Sequence, residues 1–161
     1  MAKMVKVGMA DLNICHSPDA ITTLGLGSCV GVALYDKNTK TAGLVHVMLP
    51  DSTKVRQNQN RAKFADTGID YRIELLEKEG AKKSSLTAKI AGGAQMFAFS
   101  SSNDMLRVGE RNVEAVKDKL KKLGIRILAE DTGLNYGRTV EFYPETGDFI
   151  IKSVGKLVKT I

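Results

Sequence analysis

One cysteine and one histidine in the first third of the chain have the types and spacing needed for nucleophilic catalysis. Cys29 directly follows the glycine-containing segment Gly25–Ser28, and His46 lies seventeen positions further on. An imidazole beside a thiol can accept its proton, and the thiolate then attacks an amide or ester carbonyl. The same imidazole protonates the leaving group and activates water against the thioester. The pair predicts a hydrolase with Cys29 as nucleophile and His46 as general base and acid.

The expected strand pairing brings these two side chains together. The apolar run that starts at Cys29 and the apolar run that contains His46 flank a polar turn, so they predict an antiparallel hairpin. A turn centred between Lys37 and Asn38 places Cys29 directly opposite His46, with Cβ atoms about 4.5–5.5 Å apart on one face. A slip of one residue would send the two side chains to opposite faces.

Neighbouring residues complete the predicted site. Thr23 lies on the strand that enters the loop and is the candidate for orienting the imidazole, through its hydroxyl or its carbonyl. Glycines permit backbone geometry that turns N–H groups toward one point, so the N–H groups of Ser28 and Cys29 are the predicted oxyanion donors. Gly31 and Ala33, on the same face as Cys29, are small and leave room above it.

Simpler interpretations of the same residues stay open at this point. A lone cysteine is usually a small buried hydrophobe, and a lone histidine is usually structural or solvated. The chain also offers a second pair, Cys15-His16. Adjacent residues on a strand point to opposite faces, so we interpret Cys15 as a packing residue and His16 as a surface residue.

The predicted elements are mainly strands, with two long helices. Apolar and β-branched runs predict strands at residues 4–13, 20–24, 29–35, 41–49, 86–91, 125–129, 138–143 and 148–154. Apolar residues at three- and four-residue spacing predict helices at 61–79 and 110–123, stopped by Gly80 and Gly124. The opening strands lack crossover helices, which argues against a doubly wound sheet. We predict one α/β domain of the α+β type over residues 1–161, a layered sandwich with a β-rich core.

Composition narrows the function classes. The chain has 161 residues, of which 43% are hydrophobic and 26% charged, which is typical of an ordinary globular protein. It has two cysteines and no CxxC pair, which argues against a thiolate zinc site and a redox dithiol. We expect no metal and no cofactor. Aromatic residues make up only 6%, and the formal charge of +6 permits an acidic partner; we expect no nucleic-acid partner. Without an apolar run of about 18 residues, we expect no membrane insertion and a cytoplasmic protein with reduced thiols.

Seven blocks of sequence, in order along the chain, identify a family. They cover residues 23–30, 43–52, 65–66, 90–97, 109–112, 131–133 and 137–140. With these blocks the chain resembles the CheD-type chemoreceptor glutamine deamidases of bacterial and archaeal chemotaxis. One departure is Leu134, where the family pattern has a second glycine after Gly133.

The resemblance carries its own expectations. It implies a catalytic set of Cys29, His46 and Thr23 that hydrolyses specific glutamine side-chain amides on methyl-accepting chemotaxis receptors, and a fold similar to the catalytic domains of deamidating toxins. It also implies a CheC-type chemotaxis phosphatase as a partner. Two alternatives are a non-catalytic adaptor that regulates the phosphatase and an esterase or peptidase, in particular a receptor glutamyl methylesterase.

Overall fold

The computed structural model describes residues 2–54, 60–95 and 107–161, and these ranges form two β-sheets and two α-helices. The strands are β1 Met4–Val7, β2 Leu12–His16, β3 Ala20–Leu26, β4 Val30–Asp36, β5 Thr41–Val47, β6 Leu86–Gly92, β7 Arg126–Thr132, β8 Arg138–Tyr143, β9 Asp148–Lys152 and β10 Lys159–Thr160. The helices are α1 Ala65–Lys78 and α2 Val108–Leu123. The block residues Met96 and Phe97 lie outside the described ranges.

Each sheet contains five strands. The outer sheet has the order β1-β3-β8-β9-β10, and the central sheet has the order β2-β5-β4-β6-β7. Most neighbouring strands are antiparallel, but β1 runs parallel to β3 and β6 runs parallel to β7. Mixed sheets accompanied by two helices confirm the predicted α+β fold class. The similarity to toxin catalytic domains and the single-domain organisation stay predictions.

The molecule is layered, with the central sheet between the outer sheet and the helices. Strand β4 shows why, because its side chains alternate between two apolar clusters. Val30, Val32 and Leu34 pack with apolar residues of α1 and α2. Cys29 and Ala33 pack with residues of the outer sheet. Successive strand residues point to opposite faces, so a strand that is apolar at nearly every position is buried on both sides.

The predicted first strand, residues 4–13, is wrong as a single element. The chain leaves the outer sheet after β1 and enters the central sheet at β2, and Ala10 between them has a left-handed φ of 54°. The hydrophobic pattern indicates extended structure on both sides of this turn but does not show that the chain changes sheet. The short strand β10 at the end of the outer sheet was also not predicted.

The first helix begins at Ala65, four residues later than the predicted helix 61–79. Arg61–Lys63 is a short 3₁₀ turn, and Phe64 is extended, with φ −113° and ψ 144°. Phe64 forms a parallel bridge with Leu49, and the N–H of Ala65 donates to the carbonyl of Leu49 at 3.0 Å. This pairing buries the Phe64 ring, which overrides the helical pattern locally. The predicted glycine stops hold, because Gly80 and Gly124 both have positive φ, 96° and 72°.

Candidate active site at the end of the central sheet

The cysteine lies in a short loop between β3 of the outer sheet and β4 of the central sheet. Pairing of β3 with β8 is irregular between Thr23 and Leu26, where Gly25 has a left-handed φ of 71°. Glycine adopts this conformation without a steric penalty. The bulge therefore bends the end of β3, and after Leu26 the chain crosses to Cys29.

The end of β6 holds Cys29 in place. The N–H of Gly93 donates to the carbonyl of Cys29 at 2.8 Å. Gly92 has a φ of 108°, and a Cβ at that position would lie 2.2 Å from the same carbonyl oxygen. Only glycine allows the two segments to approach this closely. The glycine pair at the end of β6, Gly92 and Gly93, thus forms the seat of the cysteine loop.

The carbonyls of Gly27, Ser28 and Cys29 in this loop all accept hydrogen bonds from the segment after β6 or from α2. Besides the bond to Cys29, the N–H of Ala94 donates to the carbonyl of Gly27 at 2.9 Å, and the side-chain amide of Asn112 donates to the carbonyl of Ser28 at 3.0 Å. In a planar trans peptide, the N–H points opposite to the preceding carbonyl. The N–H groups of Ser28 and Cys29 therefore face the other side of the loop, and neither donates to another described residue.

The histidine lies on β5, two residues out of the predicted register. His46 pairs with Gly31, and the last pair is Val30 with Val47, so the prediction that Cys29 stands directly opposite His46 is wrong. The shift is even, which keeps both side chains on the face toward the outer sheet. Cys29 is a diagonal neighbour of His46, a relation that separates Cα atoms by about 7–8 Å.

Thr23 reaches the imidazole from the facing sheet. Its Oγ1 lies 2.7 Å from Nδ1 of His46 and 2.8 Å from the carbonyl oxygen of Val7. A carbonyl only accepts, so the Thr23 hydroxyl donates its one hydrogen to Val7 and accepts from Nδ1–H of His46. This network assigns the neutral tautomer with the proton on Nδ1. The other nitrogen, Nε2, then carries the lone pair of a base.

Burial sets the resting protonation state of the pair. Cys29 is 8% exposed and His46 is 0% exposed. Desolvation raises the pKa of the Cys29 thiol and lowers the pKa of the His46 imidazole, so both are neutral near pH 7. Nε2 of His46 is buried and has no hydrogen-bond partner among the described residues. The thiol and the imidazole thus share a face but are not hydrogen-bonded in this structure.

Gly31 has a different role from the one predicted for it. The space above it is not open, because a Cβ there would lie 3.1 Å from Leu26 Cδ1 and 3.7 Å from Thr23 Cγ2. The missing side chain opposite His46 lets the outer sheet approach closely. That approach is what brings the Thr23 hydroxyl to the imidazole.

The second cysteine–histidine pair is not brought together. Cys15 is buried in the apolar cluster between the sheets, and burial, reinforced by the charge of Asp19, raises the pKa of its thiol to about 12. His16 faces outward, where Nδ1 lies 2.9 Å from Thr41 Oγ1 and Nε2 lies 3.4 Å from a Glu79 carboxylate oxygen. The interpretation of Cys15 as packing and His16 as surface is confirmed.

Leu134 lies in the turn that follows β7 and adjoins the seat of the cysteine loop. It has a φ of 60°, in the left-handed region that suits glycine, and its carbonyl accepts from the N–H of Gln95 at 2.9 Å. Its side chain is 62% exposed, so it gains little from packing. The expected glycine at this position thus has a conformational reason.

We expect Leu134→Gly to raise the free energy of unfolding by up to about 1 kcal/mol. Left-handed geometry costs a non-glycine residue about 1–2 kcal/mol, and the greater freedom of glycine in the unfolded chain offsets about 0.5–1 kcal/mol of that. Urea unfolding of the variant and the wild type measures the difference. Leu134→Ala is the matched control, since alanine keeps a Cβ and should show no gain. An equal gain in both variants would contradict strain as the cause.

The described ranges contain neither a cluster of metal-binding side chains nor a helix suited to a membrane. Within residues 2–54, 60–95 and 107–161, no group of three or more His, Cys, Asp or Glu side chains is arranged to hold a metal ion. The absence of a cofactor stays a prediction. No helix in the described part of the chain combines the length and apolar character that a bilayer crossing requires.

Comparison with known proteins places this chain in a family. The family model described as CheD chemotactic sensory transduction matches residues 48–153. A CheD protein of Lachnoclostridium phytofermentans is 69% identical over 161 residues, the whole of both chains. Proteins of Halalkalibacterium halodurans (57% identical, the whole of both chains) and Bacillus subtilis (51% identical, 99% of this chain and 97% of the relative) are each named chemoreceptor glutamine deamidase CheD. The full-length relatives extend the match over the cysteine and histidine segments, and the chain belongs to the CheD family.

Proposed function

We propose that this chain is a protein-glutamine deamidase that converts specific glutamine side chains of methyl-accepting chemotaxis receptors to glutamate and releases ammonia. The observation that carries the proposal is the environment of His46. Its Nδ1–H is held by Thr23, and its Nε2 is free on the face that also holds Cys29. Full-length relatives named chemoreceptor glutamine deamidase supply the substrate class.

The proposed reaction proceeds through a thioester. Nε2 of His46 takes the thiol proton as the Cys29 sulfur attacks the glutamine carbonyl carbon, and a tetrahedral intermediate forms. The imidazolium returns the proton to the amide nitrogen, the C–N bond breaks, and ammonia leaves. Water, deprotonated by the same Nε2, then attacks the thioester, which yields glutamate and restores the thiol. The loose apo geometry is compatible with this, because catalytic hydrogen bonds often tighten only in the substrate complex.

The backbone of the cysteine loop supports the proposed oxyanion hole. The N–H groups of Ser28 and Cys29 have no acceptor among the described residues, while the loop carbonyls are bonded on the opposite side. Donors that are fixed before the reaction stabilise the developing oxyanion without reorganisation. We therefore propose Ser28 and Cys29 as its donors.

The role of Thr23 gives a graded prediction. We expect Thr23→Val, which keeps the shape but removes the acceptor for Nδ1–H, to lower kcat by about tenfold or more, yet by less than the roughly 10²–10⁴-fold contribution of a general base. Thr23→Ser keeps the hydroxyl and should retain most activity. Steady-state ammonia release measures both. Equal losses in the two variants would contradict a specific role of the hydroxyl, because Thr23→Ser keeps it.

Mass spectrometry of a receptor fragment tests the function itself. We expect incubation with the protein to add about 1 Da to particular glutamines, with an equal amount of ammonia, as amide-to-acid conversion requires. A methyl-esterified fragment offered in parallel tests the esterase alternative, for which methanol release would exceed ammonia release. An intact fragment, together with a Cys29 that does not react with iodoacetamide, would favour a non-catalytic adaptor.

The CheC-type phosphatase partner and the cytoplasmic location are further parts of the proposal. The partner rests on family membership and the location on the sequence pattern, and no described contact bears on either. Co-purification of the two proteins tests the partnership. If Cys29→Ala binds the phosphatase as tightly as the wild type does, binding is independent of the thiol chemistry.

A further inference from the structure

Asn112 is a polar side chain in a position that the pattern of α2 reserves for core residues. The buried face of this helix consists of Gly109, Asn112, Val116 and Leu120, and Asn112 is 0% exposed. Burying an amide costs free energy unless it is hydrogen-bonded. Its hydrogen bonds therefore indicate why an amide is present there.

Both hydrogens of the Asn112 amide are used at the candidate active site. Nδ2 donates to the carbonyl of Ser28 at 3.0 Å and to the carbonyl of Met48 at 2.9 Å. Ser28 precedes Cys29, and Met48 lies two residues after His46. One planar NH₂ group thus connects the segment of the nucleophile to the segment of the base.

The bridge lies where the sheet itself stops holding the two strands. The last pair of the β4–β5 ladder is Val30 with Val47, so Ser28 and Met48 lie beyond it. There the side chain of Asn112 links the two segments, as a further backbone hydrogen bond between β4 and β5 would do if the ladder continued. The opposite end of the amide, Oδ1, is buried without a partner among the described residues. An unsatisfied buried acceptor is destabilising, so stability alone does not account for this amide.

Helix α2 is held firmly enough to act as a fixed support. Gly109, one turn before Asn112, packs against the backbone that seats the cysteine loop. A Cβ at Gly109 would lie 2.3 Å from the carbonyl oxygen of Ala94 and 2.7 Å from that of Gly93. The same helix face therefore contacts both the seat of the loop and, through Asn112, the loop itself.

We propose that Asn112 is a positioning residue for the deamidation reaction: it fixes the spacing between the Cys29 thiol and Nε2 of His46 and the direction of the Cys29 N–H. This inference rests on the proposed function. The amide does not touch the reacting atoms. It acts through the backbone on either side of the active site.

Kinetics of Asn112→Leu test the proposal, because leucine is similar in size and removes both hydrogen bonds. Small misplacement of reacting groups can cost about 10²-fold in rate, so we expect kcat to fall by about 100-fold while KM changes less than about twofold. Asn112→Asp keeps the shape but turns an oxygen toward two carbonyls, and a loss at least as large is expected. Should Asn112→Leu fail to fold, Asn112→Ala serves the same comparison.

The control variant is Val116→Ala, on the same buried face one turn further along α2. It loses packing in the helix cluster, and its apolar side chain cannot form a hydrogen bond to the cysteine loop. Below the thermal midpoints of both variants, Val116→Ala should keep the wild-type kcat. A similar fall of kcat in both variants would overturn the proposal, because general loosening of the helix would then explain both.

A second measurement needs no receptor and separates this inference from the proposed function. In a Cys15→Ala background, iodoacetamide reports only on Cys29. We expect Asn112→Leu to slow alkylation to the rate of His46→Ala, and the double variant to be no slower, because alkylation forms no oxyanion and Asn112 then acts only through the cysteine–histidine pair. If His46→Ala is alkylated as fast as the protein that retains His46, the cysteine–histidine mechanism is refuted. A rate sensitive to His46 but unchanged in Asn112→Leu would refute the positioning role alone.

Discussion

Replacing Cys29 by alanine is expected to reduce deamidation by about 10⁴-fold or more, to background. Loss of the nucleophile in hydrolases with a covalent intermediate removes nearly all catalysis, whatever the remaining groups contribute. Alanine keeps the backbone hydrogen bond from Gly93 to the carbonyl of residue 29, so we expect the loop to keep its position. The loss of activity would then reflect the missing thiol. Ammonia release and the mass of the receptor fragment, measured at enzyme concentrations that detect residual turnover, check the result.

The chain contains its own control for this experiment. Cys15 is also buried and is also a free cysteine. It packs between the sheets, however, and burial raises the pKa of its thiol to about 12. Cys15→Ala should therefore retain kcat, with at most a loss of stability. Activity that survives in Cys29→Ala and disappears in Cys15→Ala would reverse the assignment.

The apolar pattern predicts the β4–β5 hairpin but not its register. The sequence after Tyr35 allows either a two-residue or a four-residue connection, since both contain polar turn residues. In the structure Asp36 pairs with Thr41, and its carboxylate accepts from the N–H of Asn38 at 2.9 Å. Lys40 closes the turn with a left-handed φ of 50°. A side-chain hydrogen bond thus decides the length of the loop, and nothing in the apolar pattern specifies it.

The predicted placement of Cys29 and His46 on one face survives this error because of parity. Strand side chains repeat with a period of two, so an even slip preserves the face and moves only the partner. Cys29 and His46 therefore remain on one face, as diagonal and not direct neighbours. An odd slip would have separated them, and the pairing hypothesis would have failed at the first step.

Contacts between layers were harder to predict than contacts within a sheet. Periodicity indicates that Thr23 and His46 are inward-facing, but it does not indicate which residue of the outer sheet lies across from which residue of the central sheet. The position of Thr23 before the loop suggested it as the candidate, and the 2.7 Å approach of Oγ1 to Nδ1 depends on the absent side chain of Gly31. Asn112 escaped functional assignment for the same reason. The sequence does contain one signal for Asn112, which is a polar residue on the otherwise apolar face of α2.

The dependence of activity on pH follows from the burial of His46 and is the second large effect. Burial lowers the pKa of this imidazole below the ordinary histidine value of about 6.5. We therefore expect kcat/KM to fall only below about pH 6.5, where Nε2 becomes protonated. Burial raises the pKa of the Cys29 thiol above its ordinary value of about 8.5, so no alkaline fall is expected between pH 7 and pH 9. Profiles from pH 5 to pH 10 measure both limbs.

Removing the imidazole should change the shape of this profile as well as its height. In His46→Ala we expect kcat/KM at pH 7 to fall by roughly 10²–10⁴-fold, the usual contribution of a general base. Residual activity should then rise about tenfold per pH unit, because only spontaneous ionisation of the thiol supplies the nucleophile. His16→Ala, which alters the exposed imidazole, should leave the profile unchanged. A preformed thiolate–imidazolium pair would instead give the wild type an alkaline limb below pH 9, where the imidazolium loses its proton, and that result would contradict a resting site in which both groups are neutral.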